Sequence, residues 1–141
     1  MSEATAHEDR RMIVPPGMEQ VLETVGYAPA VQVGNTLYVS GQIGRDAGMQ
    51  LVEGREAQIV QAFENLKSVL AEAGAGMSDI VDLTTWHTDM RDLPLFAQVR
   101  DRYFGDFRPA WTAVGAHMLC GSPGYIIEIK AVAVLRAQVP A

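Results

Sequence analysis

The residue that most directly suggests chemistry is Glu128, a carboxylate within an otherwise apolar stretch near the end of the chain. Isoleucines flank it on both sides, and residues 131–135 are alanine, valine and leucine. Burying a charged carboxylate is costly, so this group must be paired with a cation, protonated or exposed to a cleft. Lys130 lies two positions on and would share a strand face with Glu128. The residues alone therefore allow either a catalytic carboxylate or a structural ion pair.

Trp111 is the second candidate, within residues 107–114, which read Phe-Arg-Pro-Ala-Trp-Thr-Ala-Val. An indole can stack on a planar ligand or attract a cation through its ring face. It can equally fill space as part of a core. Arg108 lies three positions earlier, so strand alternation sends its side chain to the opposite face. The sequence leaves two roles for Trp111, the wall of a pocket or a plug within it.

His87 and Asp89 form a third candidate group, because a spacing of two places both on one face of a strand. A histidine beside a carboxylate is a potential general base near neutral pH, and a solvated pair at the core edge is the alternative.

Ser40 lacks the Gly-x-Ser-x-Gly context of an activated nucleophile. The three histidines, the single Cys120 and the scattered acids match no metal-ligand spacing, so neither a metal nor a cofactor is expected.

Composition limits the classes of function. A chain of 141 residues with 48% hydrophobic residues suits one packed domain. The net charge is −6 and the 11 basic residues are scattered, which argues against nucleic acid as a partner. Apolar runs fall short of the ~20 residues that span a membrane. One cysteine excludes an intrachain disulfide, consistent with a cytoplasmic protein. We expect a flexible N-terminal tail over residues 1–11 and a single domain over residues 12–137.

Hydrophobic periodicity predicts two helices and several short strands. The clearest helix covers residues 56–73 and stops at Gly74. Asp92 is predicted to cap a second helix, with Pro94 in its first turn. The predicted buried stripes are Ile59, Phe63, Leu66, Leu70 and Ala73, then Leu93, Phe96, Val99 and Tyr103. Strands are predicted at residues 11–14, 30–33, 36–40, 80–88, 110–118 and 125–135, with a loop at 41–48.

This order of elements predicts an α+β domain in which one mixed sheet packs two helices on one face. The opposite face would be bare unless another subunit covered it. Strand alternation places Ile126, Val132 and Val134 on that face together with Glu128 and Lys130. An apolar face without a partner inside the monomer favours assembly.

Five segments, in order along the chain, carry a resemblance to a known family. Together they are similar to the YjgF/Rid family (reactive intermediate deaminases, RidA-like), whose members are also described as endoribonuclease L-PSP-like. Residues 85–89 and 111–115 most resemble its arginine-lacking, YjgH-like branch. The five segments are GYAPAVQVGN at 26–35, LYVSGQIG at 37–44, AFENLK at 62–67, DIV at 79–81 and IEI at 127–129.

The resemblance implies a chorismate-mutase-like fold whose sheets form the central barrel of a homotrimer, with ligand clefts between subunits. It also implies that Glu128 holds the catalytic water. The family deaminases carry, at the position of Trp111, an arginine that binds the carboxylate of an imino acid. Since an indole cannot form that bidentate salt bridge, we expect 2-imino acid deaminase activity to be weak or absent.

The remaining ligand-binding residues are also implied by the resemblance. The phenol of Tyr27 and the backbone of Ser40 and Gly41 would line the cleft, with His87 near it. Lys130 is the exception, because the deaminases usually have no lysine at this position; it would neutralise Glu128 or an interface acid, or offset the lost arginine charge. The ligand is expected to be a small molecule. The sequence leaves three hypotheses open: a hydrolase for an enamine, imine or related reactive metabolite, a non-enzymatic metabolite-binding trimer, and a protein-interaction module with a plugged cleft.

Overall fold

In a computed structural model of the protein, residues 9–136 are described and form one mixed sheet with two long helices. The helices are α1, Arg55–Glu72, and α2, Leu93–Phe104. Short 3₁₀ turns precede β4 and α2. The six strands of this part of the chain are β1 Arg10–Ile13, β2 Ala30–Val33, β3 Thr36–Ile43, β4 Ile80–His87, β5 Ala110–Gly115 and β6 Ile127–Val134.

The strands lie in the order β1-β2-β3-β6-β4-β5. Neighbours are antiparallel except β4 and β5, which are parallel because α2 connects them. The α+β class and the mixed sheet expected from the sequence are therefore confirmed. One sheet edge is β1, and the other is β5, which carries Trp111.

The core lies between one face of the sheet and the two helices. Ile59, Phe63, Leu66 and Leu70 of α1 are buried, which confirms their predicted stripe. The ring of Phe63 stacks on Phe96 of α2 with the centroids 5.6 Å apart. Helix α1 ends as predicted, because Gly74 adopts a left-handed φ of 78°.

The β3 strand is longer than predicted. It continues to Ile43, through residues assigned to a loop from sequence, with a register shift between Val39 and Gln42. This shift is a β-bulge, after which pairing with β6 resumes at Gln42 and Ile129. The bulge places Ser40 and Gly41 beside β6.

The chain also differs from prediction around its termini and the start of α2. Arg10 pairs with β2 although the sequence assigned it to the tail, and Arg11, placed by the sequence in both the tail and the first strand, belongs to the strand. Residues 1–8 of the predicted tail and residue 137 of the predicted domain lie outside the described residues. Asp92 makes no capping hydrogen bond at α2 and forms an ion pair with Arg55 instead.

The sheet face opposite the helices is uncovered within one chain. Along β6, Ile127 and Ile129 are buried against the helices, whereas Glu128 and Lys130 point to the uncovered face. Apolar groups on this face include Tyr38, which is 49% exposed. Within residues 9–136, no helix has the length and apolar character needed to cross a membrane.

Candidate functional site

A cavity of about 410 Å³ opens where the β3 bulge meets β6. It brings together five of the seven predicted site residues, four of them on the adjacent strands β3 and β6. These five are Tyr27, Ser40, Gly41, Glu128 and Lys130. The remaining lining residues are Val31, Tyr38, Val39 and Cys120.

The carboxylate of Glu128 lies directly against the backbone of Gly41. A Cβ added at Gly41 would lie 2.8 Å from Cδ and 3.0 Å from Cγ of Glu128. Such distances are too short for real side chains, so only glycine lets the carboxylate occupy this place. Gly41 therefore determines where Glu128 presents its oxygens.

We expect Gly41→Ala to displace the Glu128 carboxylate and to weaken ligand binding with little change in the free energy of unfolding, because the atoms that must move belong to the end of a flexible side chain. Gly115→Ala is the matched control, because a Cβ at that strand glycine meets only Met90 at an ordinary 3.6 Å. Urea unfolding and ligand binding of both variants would test this. Equal effects at the two positions would contradict the role of Gly41.

Glu128 is a partly buried carboxylate without a salt bridge to Lys130. Among residues 9–136, neither Glu128 nor Lys130 takes part in an ion pair within 4.0 Å. Burial raises the pKa of the Glu128 carboxyl above its usual value. A carboxyl with a raised pKa exchanges protons more readily near neutral pH, which suits a general acid or base. The ion pair considered from the sequence is thus not formed, and Lys130 is exposed.

Ser40 holds the segment that carries Tyr27. Its hydroxyl donates a hydrogen bond of 2.7 Å to the carbonyl of Ala28, and its N–H donates to the carbonyl of Pro29 at 2.9 Å. Tyr27 lines the cavity and is 37% exposed to solvent. Ser40 therefore positions the cavity wall, in keeping with a lining role rather than a nucleophilic one.

Trp86 borders this region and was missed by sequence reasoning. It pairs with Glu128 across β4 and β6, so the two side chains share the uncovered face with Cβ atoms about 5 Å apart. It also packs against a small cluster formed by Ile43, Leu119 and Tyr125. Strand alternation predicts only that Trp86 and His87 point to opposite faces of the sheet. The register between β4 and β6 is needed to show that Glu128 is the neighbour of Trp86.

Trp111 lies on the other face of the sheet, away from the Glu128 cavity of its own chain. Its indole Nε1 donates a hydrogen bond of 2.9 Å to Thr85 Oγ1. The ring stacks on Phe96 with centroids 5.7 Å apart, and the Arg100 guanidinium lies 5.1 Å from the ring centroid. Because β5 is an edge strand, 39% of Trp111 stays exposed.

His87 lies on the same face of the sheet as Trp111, opposite the face that carries Glu128. It is 2% exposed, its Nε2 lies 2.7 Å from Thr85 Oγ1, and burial lowers its pKa. The predicted partner Asp89 instead bonds Arg91, and the Arg91 side-chain hydrogen bond is the main reason that the pKa of Asp89 falls to about 2. Strand β4 ends at His87, so the alternation that would align Asp89 stops there.

The sheet order, the helices on one face and the carboxylate-bearing cavity on the other define an α+β domain with a candidate site on its uncovered face. The chain belongs to the endoribonuclease L-PSP family, whose sequence profile matches residues 18–135. This confirms the YjgF/Rid resemblance. The strand order confirms the α+β fold of the single chain, and the trimeric barrel stays a prediction.

Individual relatives agree with this assignment. The RutC family protein YjgH of Escherichia coli is 32% identical over 92% of this chain and 98% of its own. The solved structure of YjgH matches with a TM-score of 0.84, covering 92% of this chain and 99% of that one at 32% identity. A 2-iminobutanoate/2-iminopropanoate deaminase of Dermatophagoides farinae is 38% identical, over 77% of this chain and 85% of its own.

Proposed function

We propose that this protein hydrolyses a small molecule carrying an enamine, imine or related electrophilic group, with Glu128 as the catalytic carboxylate. The observation that carries this proposal is the Glu128 carboxylate itself, partly buried and without an ion pair against the backbone of Gly41 in an open cavity. Its raised pKa has burial as its cause. Such a group is suited to moving protons rather than to stabilising the fold.

The reaction follows from this placement. Water held by Glu128 adds its oxygen to the imine carbon and passes one proton to the carboxylate. Protonated Glu128 returns that proton to the nitrogen, which gives a carbinolamine. Glu128 then takes the hydroxyl proton and delivers it to the same nitrogen, so that the carbon–nitrogen bond breaks as the carbonyl forms. A carbonyl compound and ammonia leave, so atoms balance with one water consumed. Tyr27 and the backbone around Gly41 would orient the water and substrate, and Lys130 would contribute positive charge at the rim.

The complete site is proposed to lie between subunits of a homotrimer. The uncovered sheet face carries exposed apolar side chains, Tyr38 at 49% and Val134 at 44%, which supports contact with another copy. In such an assembly the exposed part of Trp111, held through Thr85 and His87, would face the Glu128 cavity of a neighbour. Sedimentation velocity at micromolar concentration tests this assembly, and a monomer would contradict it.

The substrate is expected to lack a carboxylate next to the imine. The indole of Trp111 cannot form the two parallel hydrogen bonds that a guanidinium makes to a carboxylate. Losing such a charge-assisted interaction with the substrate lowers the rate about a hundredfold or more. A neutral or aromatic imine fits an aromatic wall better.

A second candidate function is a non-enzymatic trimer that binds a metabolite or a protein. The packing of Trp111 favours it, because the indole N–H already bonds Thr85 and the ring already packs on Phe96. Thermal-shift screening with small metabolites separates an open cleft from a plugged one, since only an open cleft gives ligand-dependent stabilisation. Turnover of an imine generated in situ then separates the hydrolase from the binding protein.

A further inference from the structure

A further cavity, of about 200 Å³, lies between the helical turn Val21–Val25 and the hairpin that links β3 to α1. Tyr27 and Gly41 border both this cavity and the Glu128 cavity, but Glu128 does not line this one. Its apolar wall includes Met18, Val21 and Met49, and its polar wall includes Arg45, Gln61 and Ser68. Its lining therefore includes both apolar residues and one basic residue.

The polar side of this cavity is fixed by a network of amides from α1. Asn65 Nδ2 donates hydrogen bonds to the carbonyls of Ile43 and Arg45, at 2.9 and 2.8 Å. Gln61 Nε2 in turn donates to Asn65 Oδ1 at 2.8 Å. These bonds hold the backbone at Arg45 in place before any ligand arrives, which reduces the entropic cost of binding.

Met49 adopts a backbone conformation that its residue type disfavours. Its φ is 64°, and it is the one non-glycine residue at positive φ among residues 9–136. The turn is formed by Asp46, whose Oδ1 accepts hydrogen bonds from the N–H groups of Gly48 and Gln50. A glycine or asparagine would suit position 49 better as far as the fold is concerned. An observed outlier of this kind, at a residue that lines a cavity, points to a functional reason for the methionine.

Arg45 supplies a guanidinium that is not committed to an ion pair. Within the described part of the chain, no carboxylate lies within 4.0 Å of its charged nitrogens. The neighbouring Asp46 is engaged in the turn. A guanidinium binds a carboxylate in a bidentate manner, and the flexible methionine side chains adapt to an apolar body.

We propose that this cavity is a second ligand site, distinct from the Glu128 cavity, and that it takes a small organic anion with an aromatic or aliphatic body. The carboxylate of the ligand pairs with Arg45, and its body packs on Met18 and Met49. The site goes beyond the hydrolytic function proposed for Glu128 and does not depend on it.

Isothermal titration with phenylacetate tests the charge. Binding in the millimolar range or tighter is expected for the unmodified protein. Arg45→Gln should weaken it about tenfold or more. Arg102→Gln is the matched control, because Arg102 pairs with Glu56 on the surface at 3.6 Å and does not line the cavity. Glu128→Gln should leave the affinity unchanged.

Met49→Gly tests the apolar wall and the strained turn together. Phenylacetate affinity should fall severalfold, while the melting temperature stays equal or rises, because glycine relieves the strain. A lower melting temperature with unchanged affinity would show that the methionine serves the fold. The proposal is overturned if phenylacetate does not bind, if Arg45→Gln binds it as well as the unmodified protein, or if Glu128→Gln abolishes the binding.

Discussion

Glu128→Gln is expected to abolish imine hydrolysis while making the folded protein more stable at neutral pH. Glutamine keeps the size of the side chain but cannot take a proton from water. Burial raises the pKa of Glu128 in the folded protein, so the folded state binds this proton more tightly than the unfolded chain does. Ionisation of Glu128 therefore opposes folding. The loss of folding free energy caused by this ionisation is absent below the unperturbed pKa of 4.5 and grows as the pH rises above it. The glutamine variant does not ionise, so it avoids this loss.

Melting temperatures from about pH 4 to about pH 8, together with initial rates, measure both effects. The stability difference between Glu128→Gln and the unmodified protein should vanish at the acid end and be largest at the neutral end. Glu53→Gln is the matched control, since Glu53 is exposed and lies outside the cavity. A large loss of stability at neutral pH with unchanged turnover would instead make Glu128 a structural residue.

Trp111→Arg is expected to gain deaminase activity on 2-iminopropionate, by about a hundredfold over the unmodified protein. The new guanidinium would restore a bidentate anchor for the substrate carboxylate at the edge of β5. The gain has a cost in stability of about 1–3 kcal/mol, because the hydrogen bond to Thr85 and the stacking on Phe96 are lost. Arg100, now 5.1 Å from the indole centroid, would also repel the new charge.

Two companion variants separate the causes. Trp111→Lys introduces the charge without the planar fork and should gain much less activity. Adding Arg100→Gln to Trp111→Arg should recover part of the lost stability by removing the like-charge contact. The rate of ketone formation from an imine made in situ by an amino-acid oxidase measures the gain. A folded Trp111→Arg protein that neither binds a carboxylate nor hydrolyses 2-iminopropionate would indicate a plugged cleft.

Local sequence patterns predicted most of the helices and strands, because the spacing of apolar residues reflects which face of a single element is buried. The three- and four-residue spacing of Ile59, Phe63 and Leu66 reports one buried helix face, and the structure buries all three. The bulge after Val39 was not predictable in this way, since it depends on where β3 meets β6. Asp92 lies at the N-cap position of α2 as predicted, but its carboxylate pairs with Arg55, a partner remote in sequence, instead of capping the helix.

The site was partly predictable, because strand alternation also follows from local sequence. Alternation correctly put Glu128 and Lys130 on the face opposite the helices, but it could not reveal that they form no ion pair. The face occupied by Trp111 follows from its parallel pairing with Leu83, a contact between elements that the sequence does not record. Trp86 was missed because its neighbour Glu128 lies 42 residues away along the chain, in a strand reached only through the sheet order.

The most direct test compares two imines on the unmodified protein under the same conditions. One is 2-iminopropionate, made by an amino-acid oxidase, and the other is a carboxylate-free aromatic imine, made by an amine oxidase. The deaminase of Dermatophagoides farinae serves as the reference. We predict that the carboxylate-free imine is hydrolysed faster than 2-iminopropionate, whose rate stays about a hundredfold or more below that of the reference. A 2-iminopropionate rate equal to that of the reference, with no hydrolysis of the carboxylate-free imine, would contradict the roles assigned to Trp111 and to the cavity at Glu128.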